Sequence, residues 1–174
     1  LIYWCELFQE YELTPAHAGG TSGNLSFRIN ANSNEFVITG AGLKHKNKLG
    51  NEHFVHVKSC DLLQKVVNVC GSRLPSSESM MHYAIYQTLP HVNAIFHGHH
   101  QGILSFAEKL NIPATKFECQ YGSIELINSI MPLIEQNIEF FIIKNHGFIS
   151  LGSSMKHAGE RALSILEQYK ELNR

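Results

Sequence analysis

Aspartate is almost missing from this sequence. Asp61 stands alone among 174 residues that include 11 histidines. If a metal is bound, the chain therefore offers imidazole rather than aspartate carboxylate. Neither sign of charge dominates: 14 Lys and Arg face 15 Asp and Glu, for a formal charge of -1. That balance gives no electrostatic reason to expect a nucleic acid or an anionic membrane surface as partner. No apolar run reaches the ~18–20 residues needed to cross a bilayer. Cysteine is sparse and forms no C-x-x-C pair, so Cys5, Cys60, Cys70 and Cys119 read as free thiols of a reducing, cytoplasmic compartment. Residues 1–10 carry no basic n-region and do not read as a signal peptide, and the sequence begins without Met. It contains no internal repeat, low-complexity tract or linker. What is there is an ordinary globular composition, 44% hydrophobic and 17% charged. At ~100–200 residues per domain, the expectation is one domain over residues 1–174.

The residue pattern gives a β-rich first half and a second half in which strands and helices alternate. Residues 1–12 space their apolar side chains like a short helix, and the glycine-rich stretch 18–23 reads as a loop. Residues 25–29 and 36–39 read as strands joined by a turn at 30–34. Residues 53–58 alternate and 65–70 are β-branched, so both read as strands. A helix should follow Pro75, capped by Ser76 or Ser77 and ending near Thr88. Residues 92–96 form a buried type of strand, and helices are expected over about 102–109 and 122–136, the second with Pro132 as a kink. Residues 138–143 read as a central strand and 148–151 as another. From Ser154, Met155, Ala158, Ala162, Ile165, Leu166 and Tyr169 mark a final amphipathic helix. The sum is an α/β protein, a layered sheet with helices on both faces.

Three local patterns carry chemistry. His97-x-His99 sits at a strand end, where residues two apart point to the same side, beside a glycine that leaves room. His146, next to Gly147, also follows an apolar strand. Three neutral histidines with an open fourth position describe a catalytic zinc site rather than a closed structural one. His100 falls on the opposite side by the same alternation. Pro75-Ser-Ser-Glu78 reads two ways, as an ordinary helix start or as an anion site at a helix N-terminus with Glu78 between anion and metal. Gly19-Gly-Thr-Ser-Gly-Asn-Leu-Ser26 likewise reads as a turn into a strand, or as a loop whose N–H groups, Thr21 hydroxyl and Asn24 amide cradle a phosphate. It lacks the Gly-Lys-Ser/Thr of a Walker loop, and no strand feeds it into a helix as a dinucleotide fingerprint requires.

Taken in order, Gly23-Asn-Leu-Ser26, Thr39-Gly-Ala-Gly42, Pro75-Ser-Ser-Glu78 with His82, Tyr86 and Pro90 after it, Ala94-Ile-Phe-His-Gly-His99 and Asn145-His-Gly147 resemble the class II aldolase/adducin family. The resemblance spans about residues 13–172. It implies a three-layer α/β/α sandwich around a central, largely antiparallel sheet, and a homotetramer. Carried over by motif, His97, His99 and His146 are the Zn2+ ligands and Glu78 is the acid/base. Thr21, Asn24, Gly42, Ser76 and Ser77 hold the phosphate of a small sugar phosphate. The implied activity is a lyase that cleaves a phosphorylated ketose by a retro-aldol reaction through an enediolate. Epimerase and dehydratase variants use the same site. A different class, the non-catalytic adducin-like association domain, loses the metal histidines, whereas this chain keeps all three together with Glu78.

The chain departs from the family pattern in several places. Ala41 stands where a Thr or Ser hydroxyl is usual, with Lys44 nearby as a candidate to offset it. The stretch between Pro113 and Gly122 is short. Phe117 falls where the aldolases carry a catalytic tyrosine, and is read either as a replaced donor, with Tyr121 or Glu118 as substitutes, or as a core strand residue. The sequence ends at Arg174, so a tail supplying another tyrosine is not expected.

Overall fold

Period-two alternation builds the centre of the molecule. A computed structural model describes residues 1–31 and 33–174; the turn expected at 30–34 includes Asn32, which lies outside the described residues. Helix α1 (Ile2–Glu10) leads into a two-stranded ribbon, β1 (Ala16–His17) and β2 (Gly20–Thr21), inside the stretch expected to be a loop. Strands β3 (Asn24–Arg28), β4 (Phe36–Thr39), β5 (Phe54–Asp61) and β6 (Val66–Cys70) follow, then α2 (Ser79–Thr88), β7 (Ala94–Gly98) and α3 (Gln101–Ser105). The chain continues with α4 (Ile124–Glu135), β8 (Phe140–Ile143), β9 (Gly147–Gly152) and α5 (Met155–Leu172). The seven long strands form one sheet in the order β6-β5-β4-β3-β7-β9-β8, every pair antiparallel.

The alternation sorts side chains to two cores. Ile95, Phe141, Ile143, Ile149 and Leu151 join Met81, Ile85 and Ile130 on the face covered by α2 and α4. Ala94, Phe96, Phe140, Ile142 and Phe148 join Phe8, Ile103 and Leu166 on the face covered by α1, α3 and α5. This is the three-layer sandwich around an antiparallel sheet. Among the described residues no helix is long and apolar enough to cross a membrane.

Three boundaries differ from expectation. α2 begins at Ser79 with Glu78 as its N-cap, so neither Ser76 nor Ser77 caps it. Ser76 instead uses its carbonyl to accept from the Ser79 N–H and hydroxyl, which turns the chain before the helix. α3 is one short helix and not the longer one expected: it ends at Ser105, with Phe106 as its C-cap, whose N–H makes the last helical bond to the Gly102 carbonyl. α4 runs through Pro132 near its C-terminal end, capped at its start by the Ser123 hydroxyl, which accepts from Leu126 N–H.

Candidate functional site

β3 and α2 meet along a polar seam that fixes where Glu78 lies. Asn24, Ser26 and Arg28 are two apart and project from β3 toward α2. Glu78, the N-cap of α2, and His82 and Tyr86 within it are four apart. Two strand residues advance about 6.6 Å and four helical residues about 6 Å, so the rows keep step. The Asn24 amide donates to Glu78 Oε2 at 2.7 Å. Ser26 Oγ lies 2.7 Å from His82 Nδ1 and 2.8 Å from the Tyr86 hydroxyl. The Arg28 guanidinium covers the Tyr86 ring and donates to the Tyr86 and Leu89 carbonyls at the end of α2 and to the Val92 carbonyl beyond it. The helix is thereby held in one axial register against the sheet.

Glu78 is 4% exposed and faces three imidazoles. Its Oε2 lies 3.2 Å from His97 Nε2 and its Oε1 3.5 Å from His146 Nε2. His97 and His99 approach at 3.0 Å between their Nε2 atoms, and one ligand nitrogen from each of His97, His99 and His146 lies within 4.8 Å of the others. His97 comes from β7, His99 from the turn beyond it and His146 from the β8–β9 turn. Glycine makes the crowding possible: a Cβ on Gly147 would stand 2.5 Å from the Gly98 carbonyl oxygen and 2.7 Å from the His97 ring. His100 points elsewhere, as expected. Its Nδ1 accepts from Ile103 N–H at the start of α3 and its ring packs on Tyr169.

The donor set fits a divalent metal. His97 Nδ1–H donates to the Phe148 carbonyl at 2.9 Å, which leaves Nε2 as a bare lone pair toward the cluster. Burial, reinforced by neighbouring imidazoles, holds His97 down to about 3 and His99 down to about 2, so both are neutral imidazoles at physiological pH, the form in which they could hold a metal. Glu78 Oε1 is buried with no hydrogen-bond partner among the described residues. Burial raises the proton affinity of the Glu78 carboxyl, opposed by His146 and the Asn24 amide.

A cleft of about 670 Å³ opens in front of these groups, lined by His17, Thr21, Asn24, Gly42, Ser76, Ser77, Glu78, His99 and His146. The sequence-derived candidates thus come together in one place, with His97 buried directly behind. Their tasks divide differently from expectation. Thr21 lines the cleft, but its N–H and hydroxyl both donate to the Leu43 carbonyl, at 2.8 and 3.0 Å. It ties the loop 19–23 to the loop 40–44 rather than presenting donors to a ligand. Asn24 likewise directs its amide to Glu78. Gly42 has a φ of +66° with open space where a side chain would be, so its backbone faces the cleft unshielded. Ser76 and Ser77, released from capping, border the same space.

Lys44 is exposed and lines a neighbouring groove; the lysine in the cleft is Lys46, which sequence reasoning passed over. No local signal marks it among Lys44, Lys46 and Lys48. Phe117 is 70% exposed, which excludes the core-strand reading, and the aromatic residue that lines the cleft is Tyr121. Gly122, at φ +69°, brings that segment against Ser77, where a Cβ would meet the Ser77 carbonyl oxygen at 2.9 Å.

The family described as Class II Aldolase and Adducin N-terminal domain matches residues 1–171. An L-fuculose phosphate aldolase of Methanococcus maripaludis is 30% identical over 170 residues, 88% of this chain and 85% of that protein. A methylthioribulose-1-phosphate dehydratase of Microcystis aeruginosa is 35% identical over 80 residues, 46% of this chain and 37% of its own. The solved sugar-phosphate aldolase from Thermotoga maritima shares the fold with a TM-score of 0.78 at 18% identity, covering 99% of this chain and 91% of that one. A solved L-fuculose 1-phosphate aldolase gives 0.77 at 24% identity, over 99% of this chain and 82% of its own. With the motif order, the antiparallel sandwich and the imidazole cluster already in place, the match over nearly the full length settles the relationship: this chain belongs to the class II aldolase and adducin N-terminal domain family.

Proposed function

We propose that the protein is a zinc-dependent lyase that cleaves a small phosphorylated ketose by a retro-aldol reaction. The coarser statement, a metal-dependent enzyme of the aldolase type, rests on the family and on the relatives described above. The finer reading is carried by one observation: a single buried carboxylate, Glu78, touches two of three clustered imidazoles and faces an open cleft.

His97, His99 and His146 would hold the metal, and an all-imidazole set with no thiolate suits zinc. Bound there, it would supply Lewis acidity toward the carbonyl of the substrate. Glu78 moves the proton at the reacting carbon. Its carboxyl has a raised proton affinity and is aimed by the Asn24 amide, the two properties that general acid–base work requires. Ser76, Ser77 and the Gly42 backbone receive the phosphate, and that remote binding orients the reacting carbon. Tyr121, rather than Phe117, is the phenol placed to serve the leaving aldehyde. The whole chain acts as one domain, assembled as a homotetramer, and its four free thiols suit a cytoplasmic setting.

A second reading, dehydration of a sugar phosphate on the same groups, is favoured by the stretch similar to the methylthioribulose-1-phosphate dehydratase. The test is a screen of ketose 1- and 5-phosphates with the zinc-loaded protein, read by aldehyde release. Aldehyde formation that disappears on chelation supports the lyase. Loss of water without carbon–carbon cleavage selects the dehydratase, and a metal-loaded protein that transforms none of the compounds overturns both.

A further inference from the structure

Lys46 has no role in the chemistry above, yet among the described residues it is the one fully buried lysine and it lines the cleft at 1% exposure. Its Nζ donates to Thr21 Oγ1 at 2.7 Å, to the Ser22 carbonyl at 2.9 Å and, more weakly, to the Thr21 carbonyl at 3.4 Å. All three acceptors are neutral. Among the described residues no carboxylate lies within ion-pair distance of the ammonium. A buried cation normally has an anionic partner, because removing it from water costs several kcal/mol, on the order of the ion's effective desolvation penalty. Here the protein provides none, and the open side of the site is the cleft bordered by Gly42, Ser76 and Ser77.

We infer that Lys46 is the specificity-determining residue that commits this cleft to an anionic ligand, a phosphate or sulfate-like dianion, by placing an uncompensated positive charge beneath the loop 19–23. The inference rests on the reading of Gly42, Ser76 and Ser77 as the phosphate end. Lys46 is a positioning residue, because its three N–H groups are already engaged and it acts through charge and through the loop. Thr21 transmits the second effect: its Oγ1 accepts from Lys46 while donating to Leu43, so one hydroxyl clamps both glycine loops. Burial pulls the Lys46 ammonium down to about 8, against a smaller opposing influence of Cys5. The titratable groups around it are Cys5 of α1, raised to about 12, His97 of β7 and His99 of the turn beyond it, held near 3 and 2, and, along the cleft, His17, Glu78, Tyr121 and His146; the Lys46→Arg comparison cancels whatever these contribute.

The experiment is calorimetric titration of the zinc-loaded protein with inorganic sulfate, whose charge does not change over that range, alongside Lys46→Met and Lys46→Arg. At pH 7, Lys46→Met should weaken binding about 10- to 30-fold, the scale of one unit charge about 10 Å away at an effective dielectric of about 20. Lys46→Arg should stay within about threefold of the parent. Raising the pH through 8 should weaken binding to the parent and leave Lys46→Arg unaffected, because the guanidinium keeps its proton. That second comparison decides the matter even if Lys46→Met fails to fold. Equal affinity in all three proteins overturns the role of Lys46 and leaves the phosphate end standing. Equal losses in Met and Arg variants reduce Lys46 to a loop support and overturn the charge argument. A parent protein that binds no sulfate at pH 7 removes the phosphate end itself, and the inference with it.

Discussion

The two ends of the cleft are built on different principles. At the imidazole end, His97 rides on β7, Glu78 caps α2 and His146 closes the β8–β9 turn, so each group inherits its position from a packed element. The polar seam from Asn24 to Arg28 then holds α2 against β3. At the loop end the lining comes from the segments 19–23, 40–44 and 76–77, the first two held to each other by Thr21, Leu43 and Lys46. Geometry set by secondary structure is rigid and repeats from strand to strand. Geometry set by loops depends on a few cross-links, and a single side chain can redirect it. The lesson is that the imidazole end hangs on packed strands and a helix, whereas the loop end hangs on a few side-chain cross-links.

The largest effect should come from breaking the imidazole end. His99→Ala should reduce the metal content, about one ion per chain in the parent, to near zero by elemental analysis. His100→Ala, one residue away but engaged at the start of α3, should leave it unchanged. Metal loss in His100→Ala would show that the two rings have been assigned to the wrong sides of the strand end.

Asn24→Ala tests the joint between the two ends. Removing the amide that aims Glu78 should lower turnover about 10- to 100-fold, the range of one hydrogen bond to a charged group at ~1.5–3 kcal/mol. Metal content should hold, since Asn24 donates to the carboxylate and not to the imidazoles. Unaltered turnover in steady-state kinetics would mean that Glu78 keeps its aim without the seam.

A smaller effect concerns acid stability beneath the site. Burial, reinforced by His97, holds His82 down to about 3 from an ordinary value near 6.5. Below about 6.5 the unfolded chain takes up a proton that the folded one refuses, so stability is present above that pH and declines as pH falls toward 3. His82→Gln in the metal-free protein should therefore show a shallower fall of melting temperature between pH 7 and 4.5 than the parent. A parallel fall in both proteins would assign the acid sensitivity to other groups.

Sequence alone carried the imidazole end further than the loop end, for a physical reason. The two-residue spacing of His97 and His99 and the four-residue spacing of Glu78, His82 and Tyr86 are periodicities of a strand and a helix, and periodicity survives in one dimension. The separation of His100 from its neighbours followed from the same rule. Thr21 and Lys46 have no such spacing. Their partners lie across a loop-to-loop contact 22 and 25 residues away, so the sequence pointed to Lys44 and not Lys46, and assigned Thr21 donors that Leu43 already occupies. Phe117 was misplaced because the short segment 113–122 carries no pattern to anchor an alignment, and Gly122 against Ser77 sets its course instead. The start of α2 shifted because Ser76 hydrogen-bonds with Ser79 through its carbonyl, a turn that Pro75-Ser-Ser-Glu78 does not distinguish from a serine cap.

The measurement that bears most directly on the central claim is made on one variant, Glu78→Gln, with metal content and turnover determined on the same sample. The amide keeps the size of the side chain and can still meet Asn24, but it cannot exchange a proton as a base. The account predicts a full complement of metal on His97, His99 and His146 and a fall in turnover of about 10²–10⁴, the share of general acid–base catalysis. A metal-free variant would make Glu78 an indispensable ligand, and a fully metallated variant with undiminished turnover would remove it from the reaction; either result contradicts the division of labour described here.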